Sequence, residues 1–171
     1  VTSRLTATKA FDRTRHHVEA FSCGRDTLDR WLRAYASQNQ HRDAARTFVT
    51  TELDGKVAGY YTLVAAQVEH ERATAGVRRG LSRHFPIPVA LLARLAVATP
   101  HQGTGLGRGL LLDALRRVLR ASDELAIRAV TVQALDERAS SFYRAFGFEP
   151  SDLAPDTLMV PLRLVRQTLD S

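Results

Sequence analysis

Among 171 residues there is a single cysteine, Cys23. One thiol excludes an internal disulfide and any metal site built from several thiolates. Lysine is nearly as scarce: Lys9 and Lys56 are the only two, and the rest of the 24 basic residues are arginines. No stretch approaches the roughly 20 apolar residues needed to cross a bilayer. The opening Val1-Thr2-Ser3-Arg4-Leu5 has neither the apolar run nor the cleavage site of a secretory signal, so the expectation is a cytoplasmic protein without membrane contact. The six histidines include no His-Glu-x-x-His or similarly close set, and the rings of the adjacent His16 and His17 diverge on regular structure, so no metal is expected. No period of roughly 20–50 residues repeats, and one domain spanning 1–171 is the economical reading.

What is present is a 44% hydrophobic content, enough for one core burying about two thirds of the surface that the unfolded chain exposes. A soluble α/β domain fits. The net charge of +6 favours an anionic partner, whether a nucleotide cofactor, a nucleic acid or an acidic protein, and chooses among none of them. Arginine's planar fork suits phosphate where the positions cluster; on a dispersed solvated face the same excess reflects coding bias.

Leu28, Trp31, Leu32, Tyr35 and Ala36 recur at spacings of three and four, which predicts a helix over Asp26–Asp43. Thr47–Leu53 reads as a strand, Asp54-Gly55 as a two-residue turn and Val57–Val64 as the hairpin mate. The pattern breaks down over Ala65–Pro88, and Pro86 and Pro88 close that segment so that Leu91–Val97 begins a fresh buried strand. Leu110, Leu111, Leu115, Val118 and Leu119 predict a helix ending near Ser122-Asp123. Ile127–Val132 reads as a strand, Glu137–Phe146 as a short helix capped by Gly147, and Thr157–Leu164 as a last strand whose Pro161 marks an edge or a bulge.

Between the Leu91–Val97 strand and the next helix lies Gln102-Gly103-Thr104-Gly105-Leu106-Gly107-Arg108-Gly109. Glycines at alternate positions let the backbone bend and bring several N–H groups to a ligand, and the helix behind them adds its positive end. A pyrophosphate is the natural guest; a tight turn with no ligand is the plainer alternative. A mononucleotide P-loop is excluded because Gly107 is followed by Arg108-Gly109-Leu110 rather than Lys and Ser or Thr. A dinucleotide fingerprint is incomplete, since Gly103-x-Gly105 is followed by Arg108 where a third glycine belongs, and Asp123 is an ordinary helix-terminal acid.

Gln102-x-x-Gly105-x-Gly107 after Leu95-Ala96-Val97, with the later Phe142-Tyr143-x-x-Phe146-Gly147-Phe148, resembles the GCN5-related N-acetyltransferase (GNAT) superfamily. The resemblance implies an α/β fold with a central splayed mixed β-sheet flanked by helices and acetyl-CoA as cosubstrate. It also implies main-chain amides from Gln102, Gly103, Thr104, Gly105, Leu106, Gly107 and Arg108 on the CoA pyrophosphate. Leu95, Ala96 and Val97 would form the cofactor strand, with Leu95 and Val97 facing the pantetheine. A narrower resemblance covers nearly the whole chain. Phe21-x-Cys23-Gly24-x-x-x-Leu28-Asp29-x-Trp31-Leu32, Arg46-Thr47-Phe48-Val49, Val57-Ala58-Gly59-Tyr60-Tyr61, Ile87-Pro88-Val89 and Arg94-Leu95-Ala96-Val97 are similar to the acetyltransferase toxins of bacterial type II toxin–antitoxin systems. Those enzymes acetylate the α-amine of the amino acid on a charged tRNA and stop translation, and ribbon-helix-helix antitoxins cover them. Aminoacyl-tRNA as substrate and such an antitoxin as partner are implied by this resemblance alone. Acetylation of a small amine or a protein N-terminus is an alternative, as is a non-catalytic acetyl-CoA-binding or DNA-associated regulator.

Acetyl transfer to an amine requires a neutral nucleophile, donors for the oxyanion and a proton for the departing thiolate. From the residues alone, Tyr143 either packs with Phe142, Phe146 and Phe148 or delivers that proton; the resemblance implies the second. No base stands out among His101, Glu52, Asp54 and Glu69, and an α-amine beside an ester needs little help in losing its proton. The resemblance places an oxyanion donor in the main chain near Val97 or Ala98. For tRNA, Arg78, Arg79 and Arg83 form one patch with Arg72 nearby; Arg94 just before the cofactor strand and Arg13 with Arg15 are further contacts, and Arg46 fits a structural corner instead. The Trp31 and Tyr35 stripe either marks an antitoxin groove or packs on the chain's own sheet, and a homodimer is left open.

Overall fold

The two strands around Asp54-Gly55 form the expected hairpin, but its loop is longer than two residues: the Glu52 amide donates to the Lys56 carbonyl and the Gly55 amide to the Glu52 carbonyl, so Leu53 joins the loop and the first strand ends at Thr51. In the computed structural model, which describes Arg4–Ser171, a two-residue strand β1 (Lys9–Ala10) precedes them, then β2 (Arg46–Thr51) pairs antiparallel with β3 (Val57–Val68). Val1, Thr2 and Ser3, where the reading of a missing leader began, lie outside the described residues. β3 runs on to Val68, past the expected Val64 and into the segment that sequence left unassigned; a single turn at His70–Arg72 and a short helix follow there.

The stripe from Leu28 to Ala36 forms three pieces where one helix was expected. They are α1 (Asp26–Arg30), a π-helical turn at Trp31–Tyr35 and α2 (Ala36–His41). Leu32 and Ala36 are buried, and Leu28 and Trp31 pack partly buried against the same core, while Tyr35 is exposed. Most of the stripe is therefore core, with its last aromatic at the surface.

The helix in the unassigned segment is α3 (Ala75–Arg78). β4 (Ile87–Val97) begins before the expected Leu91 and takes in Pro88, which has no N–H to give but whose carbonyl accepts from the Arg128 amide at 2.9 Å. α4 (Leu106–Ala121) follows the glycine turn. β5 (Ala129–Gln133) runs parallel to β4 from Val89↔Ala129 to Leu92↔Val132, and β4 continues to Val97 beyond that ladder. α5 (Glu137–Arg144) is capped by the Asp136 carboxylate, which accepts from the Ala139 amide, and Gly147 after it has φ 90° as its C-cap reading anticipated.

β6 (Glu149–Pro150) and β7 (Thr157–Pro161) complete a seven-stranded sheet of order β1-β2-β3-β4-β5-β7-β6. The parallel β4–β5 pair beside the antiparallel β1–β2, β2–β3, β5–β7 and β6–β7 pairs makes it mixed, which with the flanking helices is the α/β architecture expected. β7 is an interior strand, contrary to the edge reading of Pro161. That proline ends the strand and caps α6 (Leu162–Leu169), a helix where sequence had continued the strand to Leu164. No helix among the described residues is long and apolar enough to cross a membrane.

Two compact units share these elements. In the first, residues up to Val64 with Ala93–Ala114, the core gathers Phe11, Val18, Phe21, Leu32, Val49, Val57, Tyr60 and Ala96. In the second, Ala65–Leu92 with Leu115–Ser171, it gathers Ala73, Val77, Ile87, Val89, Ala129 and Met159. Close approach explains one glycine of the first unit: a Cβ on Gly59 would stand 2.8 Å from Leu110 Cδ1 and 3.2 Å from the Ala96 carbonyl oxygen. Gly59→Val is expected to destabilise the protein by about 2–3 kcal/mol through overpacking, read as a lower denaturant midpoint at unchanged m-value.

Candidate active site

Within the first unit, the glycine turn is built as a cradle. Gly103 (φ 76°) and Gly105 (φ 89°) occupy the left-handed region that L side chains avoid, and a Cβ added at either would meet nothing within 4 Å. The Gly109 amide bonds to the Gly105 carbonyl at the start of α4, and the Leu106 and Gly107 amides before it belong to the helix's first turn, where N–H groups point out of the helix end. Open space over left-handed glycines at the N-terminus of a 16-residue helix fits a pyrophosphate held on main-chain donors.

Gln102 holds this turn in place. Its own amide donates to the Thr99 carbonyl, which narrows the expected donor set to the residues after it. Its side-chain Nε2 donates to the Cys23 carbonyl at 2.8 Å and the Val97 carbonyl at 2.9 Å, tying the turn to the end of β4. Thr104 Oγ1 donates to the His101 carbonyl at 2.6 Å. On the strand, Ala96 faces the buried core, whereas Leu95 and Val97 are half-buried, and Val97 Cγ2 lies 3.7 Å from where a Gly107 Cβ would be. The alternation separates Ala96 from the two neighbours expected to face a ligand.

A hydrogen bond engages one of the two expected oxyanion donors, Val97 and Ala98: the Ala98 amide donates to the Ala58 carbonyl at 2.8 Å. Three of the four base candidates have partners of their own. His101 Nε2 lies 2.9 Å from Glu52 Oε1, and Asp54 Oδ1 accepts from the Lys56 amide within the hairpin turn. Cys23 has its thiol pushed up to about 11 by burial and by Asp29, so it stays protonated at neutral pH.

In the second unit, Tyr143 is buried on α5, its ring edge-on to Phe142 at 5.2 Å and to Phe148 at 5.5 Å. The ring is core, yet no described residue hydrogen-bonds its hydroxyl, which is not among the fully enclosed polar atoms. Burial pushes its pKa up to about 12, so the phenol keeps its proton throughout the neutral range. A locked ring with an unspent O–H is the arrangement a positioned proton donor needs.

The arginines separate into two kinds. Arg78 and Arg83 line a cavity of about 420 Å³ with His70, Glu69 and Glu71, so two carboxylates match the two guanidiniums. Arg79 offers its carbonyl to Arg128 Nη2 at 2.6 Å. Arg94, in the first unit, stacks over the Trp31 ring with its guanidinium carbon 3.6 Å from the ring centroid, a contact that no sequence spacing signals. Among the described residues no group of three or more His, Cys, Asp or Glu side chains is arranged to hold a metal ion.

The family model described as "Acetyltransferase (GNAT) family" matches residues 12–148. A tRNA-acetylating toxin of Mycobacterium tuberculosis is 42% identical over 149 residues, covering 87% of this chain and 88% of that protein. Among solved structures, AtaT complexed with acetyl-methionyl-tRNAfMet is similar with a TM-score of 0.88 and 25% identity, over 97% of this chain and 99% of that one. AtaTR bound with AcCoA has a TM-score of 0.80 and 26% identity, over 96% and 98% of the two chains.

Proposed function

We propose that this chain, which belongs to the acetyltransferase (GNAT) family and within it to the tRNA-acetylating toxins, moves acetyl from acetyl-CoA to the α-amine of the amino acid on a charged tRNA and so blocks translation. The observation that carries the reading is the open, left-handed glycine cradle at the start of α4; Tyr143 of the second unit, buried with its hydroxyl unspent, adds a proton donor. The acetyl-CoA-bound and tRNA-bound relatives support the choice of donor and acceptor. A ribbon-helix-helix antitoxin that covers the enzyme, and a cytoplasmic setting, belong to the same proposal.

When bound, acetyl-CoA supplies the thioester from which the acetyl group leaves. The Gly103, Thr104, Gly105, Leu106, Gly107 and Arg108 main chain holds its phosphates, with Gln102 fixing the turn rather than donating from its amide. Leu95 and Val97 line the strand beside it, and Ala96 anchors that strand in the core. Tyr143 donates its phenolic proton to the departing thiolate, and the proton that the attacking nitrogen gives up passes to water, from which the phenol is restored. The amine needs no dedicated base, consistent with Glu52, His101 and Asp54 being engaged elsewhere. Arg94 leads the tRNA contacts and Arg79 adds to them; Arg78 and Arg83 are secondary because carboxylates share their cavity.

Incubating the protein with labelled acetyl-CoA and bulk charged tRNA tests the reading, with uncharged tRNA, small amines and N-terminal peptides as parallel acceptors. Label on the aminoacyl moiety is the expected result; label only on free amines or peptides overturns the choice of acceptor. The pH dependence follows from Tyr143. Because its pKa is raised to about 12, kcat/KM is expected to rise as the acceptor amine loses its proton, at about pH 7–8, and to show no descending limb from the phenol below about pH 11. A stopped assay across that range checks it.

A further inference from the structure

Strand alternation places Arg94 on the same face of β4 as Ala96, which lies in the first core with Phe21 and Leu32. Burial lowers the Arg94 pKa and Tyr60 opposes that shift, yet an arginine keeps its charge. Three other partly shielded arginines, Arg33, Arg78 and Arg128, spend theirs on oxygen. Arg33 donates to the Phe21 carbonyl at 2.6 Å, and Arg128 to the Val77 and Arg79 carbonyls. Among the described residues Arg94 has neither carboxylate nor carbonyl, only the face of Trp31.

Two local irregularities share that outcome. The indole Nε1 of Trp31 is enclosed without any hydrogen-bond partner, so the ring's orientation is not set by its own polar atom. What the orientation provides is a flat surface under the guanidinium. Trp31 also opens the π-helical turn, an interruption of helical geometry that recurs at functional sites. A stacked, partly desolvated guanidinium with its in-plane donors unused is arranged to receive an oxyanion in that plane.

We propose that Arg94 binds a backbone phosphate at the acceptor end of the tRNA, and that Trp31 is the positioning residue holding its guanidinium for that contact. This rests on the reading of charged tRNA as acceptor. Phosphate is favoured over a carboxylate because the bound chain is a polyanion whose affinity a single cation contact measurably changes.

Binding of purified bulk tRNA is measured against salt concentration for the wild type, Arg94→Gln, Arg94→Lys, Trp31→Leu and the double variant Trp31→Leu with Arg94→Gln. Acetyl-CoA affinity and thermal unfolding serve as controls on folding. Arg94→Gln is expected to flatten the slope of log K against log salt by about 0.7–1, with tRNA affinity down about tenfold and acetyl-CoA affinity unchanged. Arg94→Lys and Trp31→Leu keep the charge, and so the slope, but lose affinity. In the double variant the Trp31 change adds little to the Arg94→Gln loss, because Trp31 acts through the guanidinium. An unchanged slope in Arg94→Gln, or fully additive losses, overturns the proposal while acetylation of charged tRNA by the wild type stands. Failure of the wild type to bind or acetylate any charged tRNA overturns the acceptor reading and this proposal with it.

Discussion

Tyr143→Phe is expected to lower turnover by about a hundredfold or more while leaving acetyl-CoA affinity within about twofold of the wild type. The substitution deletes one oxygen from a ring that Phe142 and Phe148 hold edge-on, and no hydrogen bond to a described residue is lost with it. Packing should therefore survive, and thermal unfolding should move little. The lost group is the O–H itself, kept protonated by a pKa raised to about 12. If the thiolate leaves without that donor, the cost falls on kcat rather than on binding. Steady-state kinetics together with calorimetric acetyl-CoA binding separate the two, and turnover within a few fold of wild type would remove Tyr143 from the chemical step.

Gly105→Val is expected to weaken acetyl-CoA binding by about thirtyfold or more. At φ 89° a β-branched residue is strained by on the order of 2 kcal/mol, and the turn relieves that strain by rotating its peptide planes away from the ligand. No atom lies within 4 Å of the new Cβ, so the loss does not come from a clash inside the fold. Unfolding should shift by no more than the strain, and calorimetric titration should show the larger effect on affinity. Equal affinity in the variant would mean that the turn does not carry the phosphates.

The parts of the fold that were legible are those whose code is local. The Asp54-Gly55 hairpin, the leucine spacing of α4 and the Gly147 cap each follow from neighbours within a few residues. α6 was missed because Met159, Val160, Pro161 and Leu162 form an unbroken apolar run that reads as strand, although Leu162 and Val165 already stood three apart and both are buried. Proline at the end of β7 was the available signal, since it suits a helix start as well as a sheet edge. The Asp136 cap was readable too. The π-helical turn was not, because no residue type encodes it against a stripe that fits a regular helix.

At the candidate site the glycine cradle and Tyr143 were legible as motifs, but their use was not. Ala98 looked available until its amide was found on Ala58, a contact between residues 40 positions apart in sequence. Glu52 meets His101 across 49 positions, and Arg94 meets Trp31 from another strand-to-helix packing. Such pairings arise from tertiary packing, and single-sequence spacing carries no trace of them. They decide which arginine has a charge to spend and which acids do not.

The proposed acetyl acceptor is the α-amine of a tRNA-borne amino acid. It is tested most directly by offering labelled acetyl-CoA and the wild-type protein two preparations of the same charged tRNA, one with its α-amine free and one with that amine chemically blocked. Label is expected on the aminoacyl-adenosine released by nuclease from the first and none from the second; equal labelling of both, or labelling of the uncharged tRNA, would rule out the α-amine as acceptor.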